Sequence, residues 1–203
     1  MGSRIMHSII GYTIADRLSI EDKTSFLLGS IAADAVTPKD SSHFYQGDVQ
    51  DYSRTIDYNG FLDKYSDHKD HPYVQGYFTH LIADDIWLKG FFLPWLKNRM
   101  EADNDLFHHY HRDFRLLNGK LLEYYGIADK LKSILTSRPE IIDLDEVKSE
   151  DVDAFIPNVV EDLAYDKNVI GEKLNVFTFD QIVGYIETSI DKGLMNVRSQ
   201  HNV

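Results

Sequence analysis

The chain reads as an all-α, single-domain multi-helix bundle. Three observations predict this. Apolar residues recur at helical spacing in one segment after another, strand-like alternation is absent, and Pro, Gly and capping signals mark where helices start and stop. The 203 residues, 43% hydrophobic and 27% charged, are enough for one substantial core. No repeat or low-complexity linker divides them, so residues 1–203 form one domain. Within it, 5–125 hold the chemistry-bearing side chains and 126–203 read as packing helices.

The elements follow in order. Residues 8–18 carry an apolar stripe of Ile9, Ile10, Ile14 and Leu18 and predict a first helix. Thr24 to Ala33 predicts a second, largely buried one. Periodicity is lost from Thr37 to Tyr52, where Pro38, Ser41, Ser42 and Gly47 indicate a loop of functional length. A short helix is expected over Tyr58 to Tyr65. Pro72 suits the first turn of a long helix that Pro94 limits or kinks. Asp103 to Tyr125 predicts another, with Phe107, Tyr110, Phe114, Leu117, Leu121 and Tyr124 on its core face and Gly126 as its stop. An acidic surface connection containing Pro139 follows over 136–150. Val152 to Val169 and Thr178 to Val197 are the last two helices, the second opened by a Thr178–Gln181 capping box.

Composition narrows the chemistry. With no cysteine, thiolate metal sites and cysteine nucleophiles are excluded, so a metal must be held by His, Asp and Glu. A net charge of -12 repels nucleic acid and anionic membranes, and an anionic small substrate needs a local cation. No apolar stretch has the length of a membrane span, and the first residues match neither a cleavable leader nor a myristoylation signal. A cytoplasmic protein without stable membrane association is expected.

Seven of the nine histidines lie between residues 43 and 111. The sharpest feature is the segment THLIADDIW, in which His80 and Asp84 are four apart and share one helix face. Helices of the HExxH type offer two ligands to one metal in this way. A hydrogen-bonded pair in a polar seam is the other reading. His7 opens the first helix, Asp34 ends the second among small and apolar residues, and His43 follows in the loop segment SSHFY. A carboxylate at a helix C-terminus is poorly explained by helix stability. Taken together, His7, Asp34, His43, His80 and Asp84 suggest a shared metal site. Further along, His108, His111, Arg115 and Asn118 fall on one stripe next to the core stripe. If it faces the metal cleft, His111 is a ligand or general acid and Arg115 a phosphate clamp, with Asn118 beside them. His109 and Asp113 are expected to be exposed, and His68 and His71 to be loop residues. Phe44, Tyr45 and Tyr52 are candidates for a pocket wall, while His201 lies in a tail.

The order of His7, FLLGSIAADAV with Asp34, SSHF with His43, and GYFTHLIADDIW with His80 and Asp84 resembles the zinc-dependent phospholipase C family. The likeness is to its small, intracellular-looking members and covers roughly residues 5–125. It implies the all-helical phospholipase C/P1 nuclease type of fold and a zinc site formed by Asp34, His43, His80 and Asp84, with Asp84 bridging to a second ion on His7. The chain lacks the N-terminal Trp that ligates zinc in the secreted enzymes, and FHHYHRDF does not match the spacing of their further site. One to two ions are therefore expected, zinc first, with manganese or iron as alternatives.

The expected activity is hydrolysis of a phosphate ester, most simply a phosphodiester, by metal-activated water, with Asp34 as the catalytic carboxylate. The substrate is a small phosphoester. One rival is an HD-type nucleotide phosphohydrolase, which requires an adjacent His-Asp pair that this sequence lacks. The other is a non-enzymatic helical binding module with a structural metal site.

Overall fold

A computed structural model describes residues 2–137 and 141–200. Pro139 and His201 lie outside these residues. The protein is an all-α multi-helix bundle. Its α-helices are α1 (Arg4–Arg17), α2 (Lys23–Ala32), α3 (Tyr58–Lys64), α4 (Pro72–Trp87), α5 (Lys97–Ala102), α6 (Leu106–Tyr125), α7 (Ala128–Leu135), α8 (Ser149–Asp162) and α9 (Phe179–Gln200). No helix among the described residues is long and apolar enough to cross a membrane.

The first helix starts earlier than its apolar stripe. The Ser3 side chain accepts from the Met6 backbone N–H and caps it, so His7 lies inside α1 rather than at its opening. The second ends at Ala32, and one 3-10 turn, Ala33–Ala35, carries Asp34 beyond it. A small ribbon, β1 (Tyr45–Gln46) antiparallel to β2 (Thr55–Ile56), interrupts the loop that follows. Two residues per strand are too few to show a period in sequence.

The centre of the bundle is the contact between α2 and α4. A Cβ on Gly29 would stand 2.0 Å from the Tyr73 carbonyl oxygen, and one on Gly76 would stand 1.9 Å from that of Phe26. Only glycine at both positions lets the two backbones come so close. Pro72 opens α4, with the His71 side chain accepting from the Tyr73 N–H as its cap. His71 is thus a helix cap. The helix widens into a π-helical stretch, Leu88–Leu96, which accommodates Pro94 before α5 resumes.

Helix α6 corrects the expected core face. Leu106, Asp113, Leu117, Leu121 and Leu122 are buried, whereas Phe107 and Tyr124 are exposed. The two aromatics sit beyond the edges of the stripe, and aromatic character alone does not fix its centre. Asp113, expected at the surface, is fully buried. Its carboxylate accepts from the backbone N–H groups of Asn175 (2.9 Å), Val176 (2.7 Å) and Phe177 (3.2 Å). Gly126, at φ 63, ends the helix as expected.

Two differences remain toward the C-terminus. Helix α7, with Leu131 and Leu135 buried, was not foreseen. Helix α8 covers Ser149–Asp162 rather than 152–169, and the rest becomes a 3-10 turn over Lys167–Gly171. Thr178 and Gln181 do form the reciprocal cap that starts α9. Helix α9 packs along both α1 and α4, so the C-terminal third is built into the same body as residues 5–125.

Candidate metal centre

All five candidate ligands converge. His80 and Asp84 project from α4, His7 from α1, Asp34 from the turn after α2, and His43 from the loop. His7 and His80 are 1% exposed, and His43 and Asp84 are fully buried. The stack of α1 on α4 brings the His7 and His80 rings to 3.8 Å between centroids. Asp85, the next residue, turns away and pairs with Lys89 at 2.7 Å.

Two of the three rings, His80 and His43, are oriented by a backbone oxygen. His80 Nδ1 lies 2.8 Å from the Ser30 carbonyl, a contact that the glycine-mediated approach of α2 to α4 makes possible. His43 Nδ1 lies 3.1 Å from the Lys39 carbonyl. A carbonyl only accepts, so both rings carry their proton on Nδ1 and direct Nε2 inward, the arrangement of a metal-ligating histidine. The loop is pinned so that His43 points in. The Ser42 hydroxyl donates to the Ala33 carbonyl (2.8 Å), and the Tyr77 hydroxyl donates to the Ser42 carbonyl (2.6 Å). Phe44, at φ 51, then packs edge-on against the core residue Phe61.

The inward atoms form a small polygon. His43 Nε2 is 3.3 Å from His80 Nε2 and 3.3 Å from Asp84 Oδ2, and His80 Nε2 is 3.7 Å from Asp84 Oδ2. Asp34 Oδ1 lies 3.6 Å from His43 Nε2. On the other side, Asp84 Oδ1 is 3.3 Å from His7 Nε2 and accepts from the Gly2 N–H at 3.3 Å. The two oxygens of Asp84 thus face the two halves of the cluster. Apart from the 3.3 Å contact of Nε2 with Asp84, neither His7 nitrogen has a hydrogen-bond partner among the described residues. A buried imidazole without one is costly unless something else satisfies it.

Electrostatics sharpen this demand. Burial, reinforced by His7, holds the His80 imidazole well below its ordinary pKa. Burial opposes ionisation of Asp34 and Asp84, but nearby positive charge, together with hydrogen bonds from His43 to both and from His7 to Asp84, outweighs it. Both carboxyls are held well below the usual range. His43 is raised by Asp34 and Asp84 against the effect of burial. Two buried carboxylates and two inward Nε2 atoms call for positive charge between them, either a proton or a metal ion.

Asp34 also lines a cleft of about 470 Å³ together with His111, Arg115 and Asn118, three of the four residues of the α6 polar stripe. His108 is exposed and does not line it. Sequence reading missed four other parts of this wall. These are Arg4, Lys39, which pairs with Asp34, Phe155, and Asp162, which binds Arg4 at 2.7 Å. It also missed Tyr185 of α9, a buried hydroxyl near His7. No motif distinguishes these residues, because each reaches the site only through helix packing. Of the three loop aromatics, Tyr45 stacks on His43 at 5.4 Å, whereas Tyr52 is 48% exposed and bonds Asn98. A larger groove of about 580 Å³, between the end of α6 and the start of α9, is lined by none of the candidate ligands.

Comparison with known protein families, with characterised proteins and with solved structures finds no match to this chain.

Proposed function

We propose that the protein is a metal-dependent phosphoric ester hydrolase of phospholipase C-like type. Its metal ligands are His7, Asp34, His43, His80 and Asp84, and its substrate is a small phosphoester, most simply a phosphodiester. One observation carries the reading. An ion with ligands about 2.0–2.1 Å away in a tetrahedral arrangement needs ligand–ligand edges of about 3.3 Å. The His43–His80–Asp84 triangle has edges of 3.3, 3.3 and 3.7 Å, with Asp34 Oδ1 3.6 Å from His43. The unpartnered His7 nitrogens beside the second Asp84 oxygen suit a further ion, so one to two are expected, zinc before manganese or iron.

A bound ion would supply Lewis acidity and bring the pKa of a water near neutrality. The chain's own residues do the rest. Asp34 is the ligand shared by the cluster and the cleft. Its carboxylate orients the attacking water and accepts the proton that the water gives up. Arg115 has no carboxylate partner among the described residues, unlike Arg4 and Lys39, and it binds the phosphate. His111 protonates the leaving oxygen, and Asn118 fixes the ester beside it. The acidic charge disfavours nucleic acid and anionic membranes, in keeping with a soluble, cytoplasmic setting.

A second reading has its own support. Four of the five ligands are at most 1% exposed, which suits a closed structural metal site in a binding module. Elemental analysis of tag-free protein prepared without chelator tests both. One to two equivalents of metal, lost in Asp84→Ala, support the metal centre. Hydrolysis of a phosphodiester panel by the loaded protein, abolished in Asp34→Asn with metal retained, supports the enzyme. Metal without hydrolysis favours the structural site. Below about 0.2 equivalents, with no uptake on addition of metal, both metal readings fail.

A further inference from the structure

Tyr185 lies on α9, far in sequence from every candidate ligand, yet its hydroxyl reaches the His7 side of the cluster. The residue is 2% exposed, and its hydroxyl oxygen has no hydrogen-bond partner among the described residues. Leaving a buried hydroxyl unsatisfied costs about 1–3 kcal/mol, so such a group in a well-packed core calls for a partner. Its ring is held firmly, edge-on to Trp87 at 5.1 Å and to Phe91 at 6.0 Å. The hydroxyl therefore points where it does because the ring has no freedom to point elsewhere.

Gly2 shows what it points at. A Cβ on residue 2 would stand 3.1 Å from His7 Nε2 and 3.2 Å from the Tyr185 hydroxyl. The two unpartnered polar atoms thus face a common small space that a side chain at residue 2 would fill. The same region is bounded by Asp84 Oδ1, 3.3 Å from His7 Nε2. A phenol hydroxyl carries a proton that it can donate to an acceptor in this space.

We propose that Tyr185 is a positioning residue of the metal centre, its hydroxyl donating a hydrogen bond to a water held on the His7 side of Asp84. The proposal rests on the metal reading above. It adds a residue from outside the 5–125 segment and gives α9 a part in the site. Its logic is that of outer-sphere groups, which orient what binds the metal and whose loss weakens binding 10–100-fold.

The test is Tyr185→Phe, which removes one oxygen and leaves the ring. Zinc affinity is read by competition with a chromophoric chelator, and melting is followed with and without zinc. Tyr73→Phe, which removes another buried phenol hydroxyl without a hydrogen-bond partner among the described residues, is the control. The expected result is zinc affinity at least tenfold weaker in Tyr185→Phe and unchanged in Tyr73→Phe. Zinc-free Tyr185→Phe should melt at or above zinc-free wild type, because the lost hydroxyl had no protein partner. Affinity within twofold of wild type overturns the proposal. So does a zinc-free variant that is destabilised or fails to fold, because the hydroxyl would then serve the fold. Absence of zinc uptake by wild type overturns the metal reading itself, a result separate from any of these.

Discussion

At His80 the two ring nitrogens have separate duties. Nδ1 is committed to the Ser30 carbonyl, and that commitment turns Nε2 toward His43 and Asp84. His43 repeats the arrangement with the Lys39 carbonyl but sits between two carboxylates, which raise its pKa. The sign of a pH effect follows. A protonated His43 has no lone pair for a metal, so protons compete with the ion below its raised pKa and not above it. Apparent metal affinity should therefore hold at neutral and higher pH. It should then fall roughly tenfold per pH unit on acidification past the His43 value, measured by chelator competition across the range. In His43→Gln the neutral-pH affinity should be low and this dependence flatter. The four-residue spacing of His80 and Asp84 was legible in sequence because a helix places such residues side by side. The role of Ser30 was not, since a backbone carbonyl has no sequence signature.

Helices α2 and α4 owe their contact to Gly29 and Gly76, one on each helix. In sequence these residues read only as weak points in two helical patterns, because their partner backbones are dozens of residues away. In the fold they decide how closely Ser30 approaches His80. Gly76→Ala places a methyl group 1.9 Å from the Phe26 carbonyl oxygen, which no rotamer change relieves. The expected cost is at least about 3 kcal/mol, the upper end of ordinary overpacking, read as a lower denaturation midpoint at unchanged slope. The metal content of the folded fraction should fall with it, since His80 lies one turn along the same helix. Helix α6 teaches the complementary lesson. Its period was readable but the centre of its buried face was not, because Asp113 lies inside the stripe and two aromatics lie outside it. A buried carboxylate is stable there only because the segment 175–177 presents three backbone donors, and that match exists only after folding.

Taken whole, the molecule carries a net charge of -12 and still buries two carboxylates at its centre. Repulsion within so acidic a chain favours binding of cations, and a divalent ion joining α1, α2, α4 and the His43 loop would tie the bundle together. Removing metal should therefore cost stability across the entire fold. At a free zinc concentration a hundredfold above its dissociation constant, binding to the folded state alone contributes about 2.7 kcal/mol. For a chain of this size that corresponds to roughly 5–10 °C in melting temperature between zinc-loaded and chelator-treated protein, measured by calorimetry. The difference should vanish in Asp84→Ala, because Asp84 faces both halves of the cluster.

The sequence by itself determined the fold class, most helix positions and the five residues that meet at the centre. Most of these leave a local trace: a 3.6-residue period, a cap, a His and an Asp four apart, an acidic residue where a helix end disfavours it; His7 and His43 leave none of their own. Only the tertiary structure decided that α9 delivers Tyr185 to His7, that Arg4, Lys39, Phe155 and Asp162 wall the cleft, and that Asp113 is an interior anchor. Those assignments depend on which helix faces cross at what distance. That is set by close packing between segments remote in the chain, a property that no local pattern encodes.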